Sequence, residues 1–237
     1  MKWNITGNNA YQRVEINIPN GEKVQIAAGS MIYHNGKVVL EGKLNTGDGE
    51  KKGGLGGLIK AAARSVVTGE SMFITHVTAQ SDGAMIAIAP PCPGEVRELK
   101  VGENMQWRIR DKAFLACDST ASYKVVKQSL GKALFGGTGG LFIMETTGEG
   151  SFLIDSYGDM VEVTLDGTAP FVVDNNHCVA WSASLDYKIE IASGSFGFLS
   201  GEGLVNQFSG KGTIIIQTRN AESLANLLKP FFPSNDS

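Results

Sequence analysis

The sequence predicts an all-β protein that ends in one short helix. Short segments of alternating apolar and polar residues follow one another through most of the 237-residue chain. The chain has 30 glycines against 7 prolines, and the glycines lie between Val-, Ile-, Thr- and Phe-rich segments, as in tight turns between strands. Helical i, i+3, i+4 spacing of apolar residues is scarce. Many strands at short intervals predict a sandwich or a barrel.

The N-terminal strands are predicted from alternation. The segments "RVEINIP" (13–19) and "KVQIAA" (23–28) alternate, and "PNG" (19–21) between them is typical of a turn. The stretch "MIYHNGKVVLEG" (31–42) contains Asn-Gly between apolar flanks. This dipeptide predicts a hairpin with a type I′ turn.

One pattern returns three times along the chain. The segments 69–89, 139–155 and 200–219 each contain a glycine, an apolar strand, a glycine-containing turn and a second strand. We interpret each of them as a β-hairpin, with its turn at Gly83, Gly150 or Gly212. The recurrence at intervals of roughly 65 residues indicates internal duplication.

This pattern predicts one all-β domain of about three pseudo-repeats. Their approximate ranges are 1–100, 101–165 and 166–219, followed by a C-terminal helix over 220–230. Alternating segments between the proposed hairpins supply further strands: 105–110, 114–118, 123–127, 160–165, 171–175, 178–182 and 187–192.

Three short segments have helical spacing. In the C-terminal segment Asn220 is a suitable N-cap, Leu224, Leu227 and Leu228 form an apolar stripe, and Pro230 ends the helix. The other two segments, 55–67 and 128–137, are predicted as short helices in loops.

The glycine-rich segment 51–67 also has an apolar face with basic residues beside it, and 130–137 repeats this chemistry. One interpretation is a loop and a short helix that packs on the sheet. The other is a surface that contacts a membrane or a protein partner. The contact residues in that case are Leu55, Leu58, Ile59, Lys60, Arg64, Lys132, Leu134 and Phe135.

Composition narrows the function classes. The net charge is −3 and the pI about 5.7, so no overall basic field favours nucleic acid as a partner. The N-terminal segment lacks the apolar core of a signal peptide, and no apolar run reaches the roughly 18 residues of a membrane span. Three cysteines, far apart in sequence, are typical of a reducing compartment. We therefore expect a cytoplasmic location.

Five segments together resemble a known family: "GESMFITHV" (69–77), "IAPPCPGEV" (88–96), "AFLACD" (113–118), "FVVDNNHCVAW" (171–181) and 200–219. They resemble the domain-of-unknown-function 124 family, whose eukaryotic relatives are the altered-inheritance-of-mitochondria 24 proteins. The resemblance implies an all-β fold similar to the tryptophan RNA-binding attenuation protein, with repeated double-stranded β-helix-like units and oligomers. It implies no catalytic residues.

The segment "GKGT" (210–213) looks at first like a phosphate-binding loop. A P-loop requires G-x-x-x-x-G-K-[ST] followed by a helix, whereas here the leading glycine is missing and "TIIIQT" predicts a strand. We therefore interpret these glycines as a turn. Basic residues are scattered, so RNA is not an expected partner.

Catalytic and metal-binding patterns are not found in the sequence. Cys92 lies between two prolines, and nothing near it marks an activated nucleophile. Metal ligands usually leave a local spacing signal, so we expect no metal or cofactor from the three isolated histidines, His34, His76 and His177. Carboxylates are dispersed through predicted turns, and a carboxylate pair or calcium site is left open for Asp155, Asp159, Asp166, Asp174 and Asp186.

These observations favour a non-enzymatic scaffold or binding protein. Sheet edges in a repeated β-protein favour a cyclic homo-oligomer, for which a trimer is the first expectation. A small-ligand-binding protein with a pocket between β units is one alternative. A divergent cupin-like metalloenzyme that uses the three histidines is another.

Overall fold

The computed structural model describes residues 1–45, 72–127, 142–193 and 203–232. Within these ranges strands are the predominant secondary structure. The strands are β1 (Lys2–Thr6), β2 (Arg13–Ile18), β3 (Lys23–Ala27), β4 (Met31–His34), β5 (Val38–Asn45), β6 (Met72–Ala79), β7 (Ala84–Ile88), β8 (Val96–Val101), β9 (Trp107–Arg110), β10 (Phe114–Asp118), β11 (Ala121–Lys127), β12 (Phe142–Gly148), β13 (Gly150–Asp155), β14 (Met160–Asp166), β15 (Phe171–Asp174), β16 (Cys178–Ser182), β17 (Asp186–Ser193), β18 (Leu204–Ser209) and β19 (Lys211–Gln217).

The described helical segments are short. They comprise the 3₁₀ turns η1 (Asp111–Ala113), η2 (Asn175–His177) and η3 (Lys229–Phe231), and the helix α1 (Ala221–Leu228). The predicted Asn220 cap is confirmed, because its side chain accepts a hydrogen bond from the Ser223 amide at 2.7 Å. The helices predicted over 55–67 and 128–137 lie outside the described residues.

The strands form four antiparallel sheets in a sandwich-like all-β fold, as the sequence predicts. Sheet 1 has the order β1-β2-β7-β4, and sheet 2 the order β5-β6-β3-β10-β13-β8. Sheet 3 has the order β11-β12-β9-β16-β19-β14, and sheet 4 the order β15-β18-β17. Two sheets of six strands are thus accompanied by a four-stranded and a three-stranded sheet.

The strand pairing follows one pattern three times. We name β2–β7 unit 1, β8–β13 unit 2 and β14–β19 unit 3. In each unit the sixth strand pairs with the first and the third, and the fifth strand pairs with the second and the fourth. Each unit therefore consists of two three-stranded half-sheets. The internal duplication and the domain ranges stay a prediction. The repeated strand pairing is the structural feature to which that prediction refers.

The hairpins predicted from sequence are wrong in their pairing. The strands joined at Gly83 are β6 and β7, which belong to sheets 2 and 1, and β12–β13 and β18–β19 likewise change sheet. The Asn35–Gly36 turn joins β4 of sheet 1 to β5 of sheet 2, and Asn35 does not have the positive φ of a type I′ turn. Local sequence marks a turn, but only packing of the apolar faces selects which strands pair.

Glycine at these corners has a conformational reason. Gly83, Gly150 and Gly210 have φ of 72°, 148° and 100°, a region that other residues rarely adopt. The third turn glycine is thus Gly210 rather than the predicted Gly212, which lies within β19. A Cβ on Gly212 would lie 2.9 Å from Leu185 and Ser182, so close packing requires glycine there.

Apolar side chains between the half-sheets form the core. The rings of Phe114, Tyr123 and Phe152 pack with centroids 5.5–6.2 Å apart inside unit 2. In unit 3, Trp181 contacts Tyr187 and Phe208 in the same manner. Such contacts add to the hydrophobic stabilisation of the buried strands.

Candidate functional site

Neighbouring units are joined by strand pairing at what we call closed seams. At the first closed seam β3 of unit 1 pairs with β10 of unit 2, and Ile26 lies opposite Ala116. At the second, β9 of unit 2 pairs with β16 of unit 3, and Ile109 lies opposite Ala180. Each closed seam thus fuses two half-sheets into a six-stranded sheet.

The third strand of every unit carries the same irregularity. Its pairing with the sixth strand shifts by one residue between Met31 and Tyr33 in β4, and the same shift occurs in β10 and β16. This bulge aligns the units residue by residue. The residue within the bulge is Ile32 in unit 1, Leu115 in unit 2 and Val179 in unit 3.

Burial differs sharply between these equivalent residues. Leu115 and Val179 are 0% and 1% exposed, whereas Ile32 is 49% exposed. Ala116 is fully buried, while its equivalent Tyr33 is 40% exposed. Among the described strands β4 pairs with β7 alone, which leaves its second edge open.

Unit 3 has a matching open edge. Within the part of the chain that the structure describes, β15 pairs with β18 alone. Its pairing makes Val173 the equivalent of Ile109 and Ile26, which occupy the closed seams. The neighbouring Val172 is 54% exposed. We call the free edges of β4 and β15, together, the open seam.

Helix α1 lies beside the β15 edge. The Asn176 side-chain amide, two residues after β15, donates to the Glu222 carboxylate at 2.9 Å. His177 Nε2 is 2.9 Å from the Asn220 side-chain nitrogen, which can donate to it. Exposed apolar side chains follow along α1 and η3, and these are Leu224, Leu227, Leu228, Phe231 and Phe232. The helix that begins near the end of β15 thus carries a row of exposed apolar side chains.

The three histidines lie in different surroundings. His34 is on the open edge of β4, and its Nδ1 accepts a hydrogen bond from the Gly36 amide at 3.0 Å. His76 is half-buried in β6. His177 Nδ1 lies 2.7 Å from the Gln217 carbonyl oxygen, so a proton on Nδ1 satisfies both ring contacts. Over residues 1–45, 72–127, 142–193 and 203–232, no three His, Cys, Asp or Glu residues are grouped to hold a metal ion.

The cysteines are all free thiols. Burial raises the pKa of the Cys117 thiol well above its usual range and that of Cys178 to about 12, so neither is a thiolate near neutral pH. Cys92 is half-buried in the proline-rich loop between β7 and β8. The segment 210–213 leads into β19, so the predicted strand after this glycine turn is confirmed and no helix follows it.

Two cavities meet at Asp155, at the end of β13. One, of about 710 Å³, lies along the first closed seam and is bordered by Met31, Ile32 and Phe114. The other, of about 240 Å³, is bordered by Arg110 and Asn176. Asp155 lines both cavities, as do Pro91 and Lys112. Burial raises the pKa of Asp155 to about 7.

The predicted surface-contact residues of 51–67 and 130–137 lie outside the described residues. Of the five dispersed acids, Asp159, Asp166 and Asp186 are exposed, Asp174 is half-buried and Asp155 is buried. No described helix is long and apolar enough to cross a membrane.

Comparison with known proteins agrees with this architecture. The family model described as "Mitochondrial biogenesis AIM24" matches residues 3–219. The chain belongs to this family. The resemblance found in the sequence is thereby confirmed.

Two streptococcal proteins are similar to this AIM24-family chain over nearly its full length. An uncharacterised protein of Streptococcus pyogenes serotype M6 is 44% identical over 238 residues, which cover 100% of this chain and 93% of the relative. A crystal structure of a protein from Streptococcus pyogenes has 41% identity and a TM-score of 0.79, and the match covers 98% of this chain and 99% of that one. The all-β fold is thus shared with a solved structure.

Sequence reasoning missed both the open seam and Asp155. The segment "MIYH" has the pattern of an ordinary strand. Its exposure could not be predicted, because it depends on whether another strand lies beside it in the sheet. In the sequence Asp155 looks like an acid in a turn, because the residues around it come from all three units. A residue-by-residue alignment of the three units would have shown both features, because it places Ile32 and Asp155 opposite their equivalents in the other units.

Proposed function

We propose that this AIM24-family protein is a scaffold that assembles head to tail into a cyclic homo-oligomer. In this assembly β15 of one copy pairs with β4 of the next. The observation that carries the proposal is the open seam, because β15 and β4 are the equivalents of the two strands that pair with each other in each closed seam.

The two incomplete sheets have complementary composition. Sheet 4 contains the second, fourth and fifth strands of unit 3, and sheet 1 contains the first, third and sixth strands of unit 1 together with β1. A β15–β4 pair would join them into a sheet of the same order as sheets 2 and 3. Added strands supply main-chain hydrogen bonds to an edge, and side chains set the register.

The closed seams predict the register of this pairing. Ile26 opposite Ala116 and Ile109 opposite Ala180 correspond to Val173 opposite Tyr33 of the next copy. One residue along, Val172 would lie opposite His34 of the next copy. Burial of Ile32, Tyr33 and Val172 would contribute hydrophobic free energy of about 25 cal/mol per Å² of apolar surface removed from water.

Closure within one chain does not occur, since β4 and β15 of the same copy are not paired among the described strands. Pairing between copies uses two different surfaces, and such head-to-tail contacts close into rings when the rotation per copy divides a full turn. We propose a trimer, which contains nine units. Helix α1 would then extend the interface, because it lies against the end of β15.

Native mass spectrometry of the full chain tests the proposal. We expect a defined homo-oligomer for the natural sequence and a monomer for Ile32→Asp, since a charge on a free strand edge prevents pairing. Val161→Asp is the matched control, because Val161 is 46% exposed on β14, away from the open seam. A monomeric natural protein, or an Ile32→Asp oligomer identical to it, would contradict the proposal.

Contact of residues 51–67 with a membrane or a protein partner stays a separate proposal. Its support is the amphipathic pattern of that segment, with basic residues beside an apolar face. Deletion of 53–64 is expected to reduce sedimentation of the protein with anionic liposomes while leaving the oligomer intact. Unchanged sedimentation would remove this proposal without affecting the head-to-tail assembly.

A further inference from the structure

Asp155 is a buried acid that lies beside two cavities. It is 6% exposed, and no hydrogen bond or ion pair to its carboxylate is found among the described residues. Desolvation is the sole cause of its raised pKa, so no nearby charge compensates the burial. Buried polar groups are normally paired, and an unpaired carboxylate beside a cavity therefore indicates a ligand.

Unit 3 shows what a protein partner would look like at this position. Gln217 is the equivalent of Asp155, because each follows the residue that pairs at the bulge. The Gln217 side chain accepts from the Tyr157 amide at 2.9 Å and donates to the Asn176 carbonyl at 2.9 Å. Both ends of its amide group are thus satisfied by neighbouring loops.

The loop beside Asp155 cannot make the first of these contacts. Counted from the same bulge, Pro91 occupies the place of Tyr157, and proline has no amide hydrogen to donate. A carboxylate also cannot donate to a carbonyl, as the Gln217 amide does. Asp155 thus makes neither of the two side-chain contacts of Gln217, which leaves its carboxylate open to a ligand that brings hydrogen-bond donors.

The other residues that line the two cavities indicate the chemistry of such a ligand. The larger cavity is mainly apolar beside Asp155, with Met31, Ile32, Pro90 and Phe114 among its lining residues. Arg110 does not neutralise Asp155, since its guanidinium donates to the Asn176 carbonyl at 2.8 Å. A group with several N–H donors and a positive charge complements the carboxylate, and an apolar group complements the cavity.

We propose that Asp155 binds a small primary amine, with the ammonium group on the carboxylate and an apolar group in the cavity beside Met31 and Phe114. Asp155, Phe114 and Lys112 belong to unit 2 of one chain, and only the wall formed by Met31 and Ile32 adjoins the open seam. An amine or an amino acid can supply the shared ammonium chemistry. Lys112, which lines both cavities, is a suitable partner for the carboxylate of an amino acid.

Isothermal titration calorimetry with three probes tests this site on the full-length protein. We expect phenethylamine to bind and 3-phenylpropionate, which has no ammonium group, not to bind. Binding of phenylalanine would also support the site and would identify amino acids as a source of its ligand. Asp155→Asn is expected to weaken phenethylamine binding at least about tenfold, the loss of a charge-assisted contact, while Asp159→Asn on the exposed turn leaves it unchanged.

The pH dependence separates this site from unspecific binding. An ammonium requires the ionised carboxylate, so affinity should rise about tenfold between pH 6 and pH 8 as the competent fraction increases. The other titratable or charged groups around the two cavities are Cys92, Arg110, Lys112, Tyr157 and Glu222. Asp155→Asn should therefore remove the rise, whereas Asp159→Asn should keep it.

Three results would overturn the proposal. They are no binding of either ammonium probe, equal binding of phenethylamine and 3-phenylpropionate, and equal affinity of the natural protein and Asp155→Asn. Circular dichroism and native mass spectrometry of Asp155→Asn show whether fold and assembly are retained. An oligomer that fails to bind these probes contradicts this site alone, and a monomer that binds them contradicts only the assembly.

Discussion

The closed seams and the open seam are built from equivalent strands, yet they leave their residues in different environments. At the closed seams Leu115 and Val179 are buried, whereas at the open seam the equivalent Ile32 is half exposed. β4 pairs with the sixth strand of its unit in the same register as β10 and β16 do, including the bulge. The missing neighbour, rather than the strand itself, therefore explains the exposure. Such an edge is a liability in water unless another strand covers it.

The largest expected effect compares Leu115→Ala with Ile32→Ala. Leu115→Ala removes a fully buried side chain and should lower the free energy of unfolding by about 2–5 kcal/mol at every protein concentration. Ile32→Ala should instead lower the stability mainly through the assembly, so its effect on Tm depends on protein concentration. Thermal unfolding over a hundredfold concentration range measures both.

Two results would contradict this account of the open and closed seams. If the Tm difference for Ile32→Ala did not vary with concentration, the open seam would not be covered by another copy. If Leu115→Ala were as mild as a surface substitution, the closed seam would not contribute to the core.

The next largest effect is the pH dependence of the free energy of unfolding, which we expect from Asp155 but not from its equivalent Gln217. The raised pKa of about 7 means that the folded state holds a proton which the unfolded state has released. Stability from this group is complete below the unfolded value near 4 and is lost as the pH rises through 7. Between pH 5 and pH 8, the natural protein should lose about 2–3 kcal/mol more of its unfolding free energy than Asp155→Asn does.

Urea unfolding at the two pH values measures this difference. Gln217→Asn is a useful companion, since it shortens a neutral side chain and should cost stability equally at both pH values. A pH dependence shared by the natural protein and Asp155→Asn would mean that another group titrates.

The smallest effect concerns the helix beside the open seam. Asn220→Ala removes the cap of α1 and the contact to His177, and should cost about 1 kcal/mol. Because α1 extends the proposed interface, the oligomer should dissociate at a higher protein concentration than the natural one does. Mass photometry across a dilution series measures this shift. Ser223→Ala, which keeps the backbone donor to Asn220, is the control that should not change it.

Much of the fold could be predicted from the sequence, but its strand pairing could not. Alternation located strands such as β2 and β10 because the side-chain period of a strand is local information. The turns at Gly83 and Gly150 were also located, because glycine conformation is local. Whether the two strands at such a turn pair with each other or enter different sheets is decided by distant apolar faces. The predicted hairpins were wrong for this reason.

The candidate sites could be predicted less well than the fold. The sequence showed that no histidine has a ligand-like spacing, but not that His177 connects β19 to the cap of α1. Exposure of Ile32 and isolation of Asp155 both depend on residues far away in the chain. These features become visible only when equivalent positions of the three units are compared. The pattern of apolar and polar residues along the chain does not show which positions are equivalent.

Disulfide trapping in the predicted register is the most direct test of the pairing between β4 of one copy and β15 of another. In a Cys92→Ser background, His34→Cys with Val172→Cys should form disulfides between copies, because these positions lie opposite each other when β4 pairs with β15. Covalent dimers and trimers should appear on denaturing, non-reducing electrophoresis, and either substitution alone should give no closed trimer. If the double variant stays a covalent monomer under oxidation while the natural protein is an oligomer, the copies meet at another surface and the head-to-tail account is wrong.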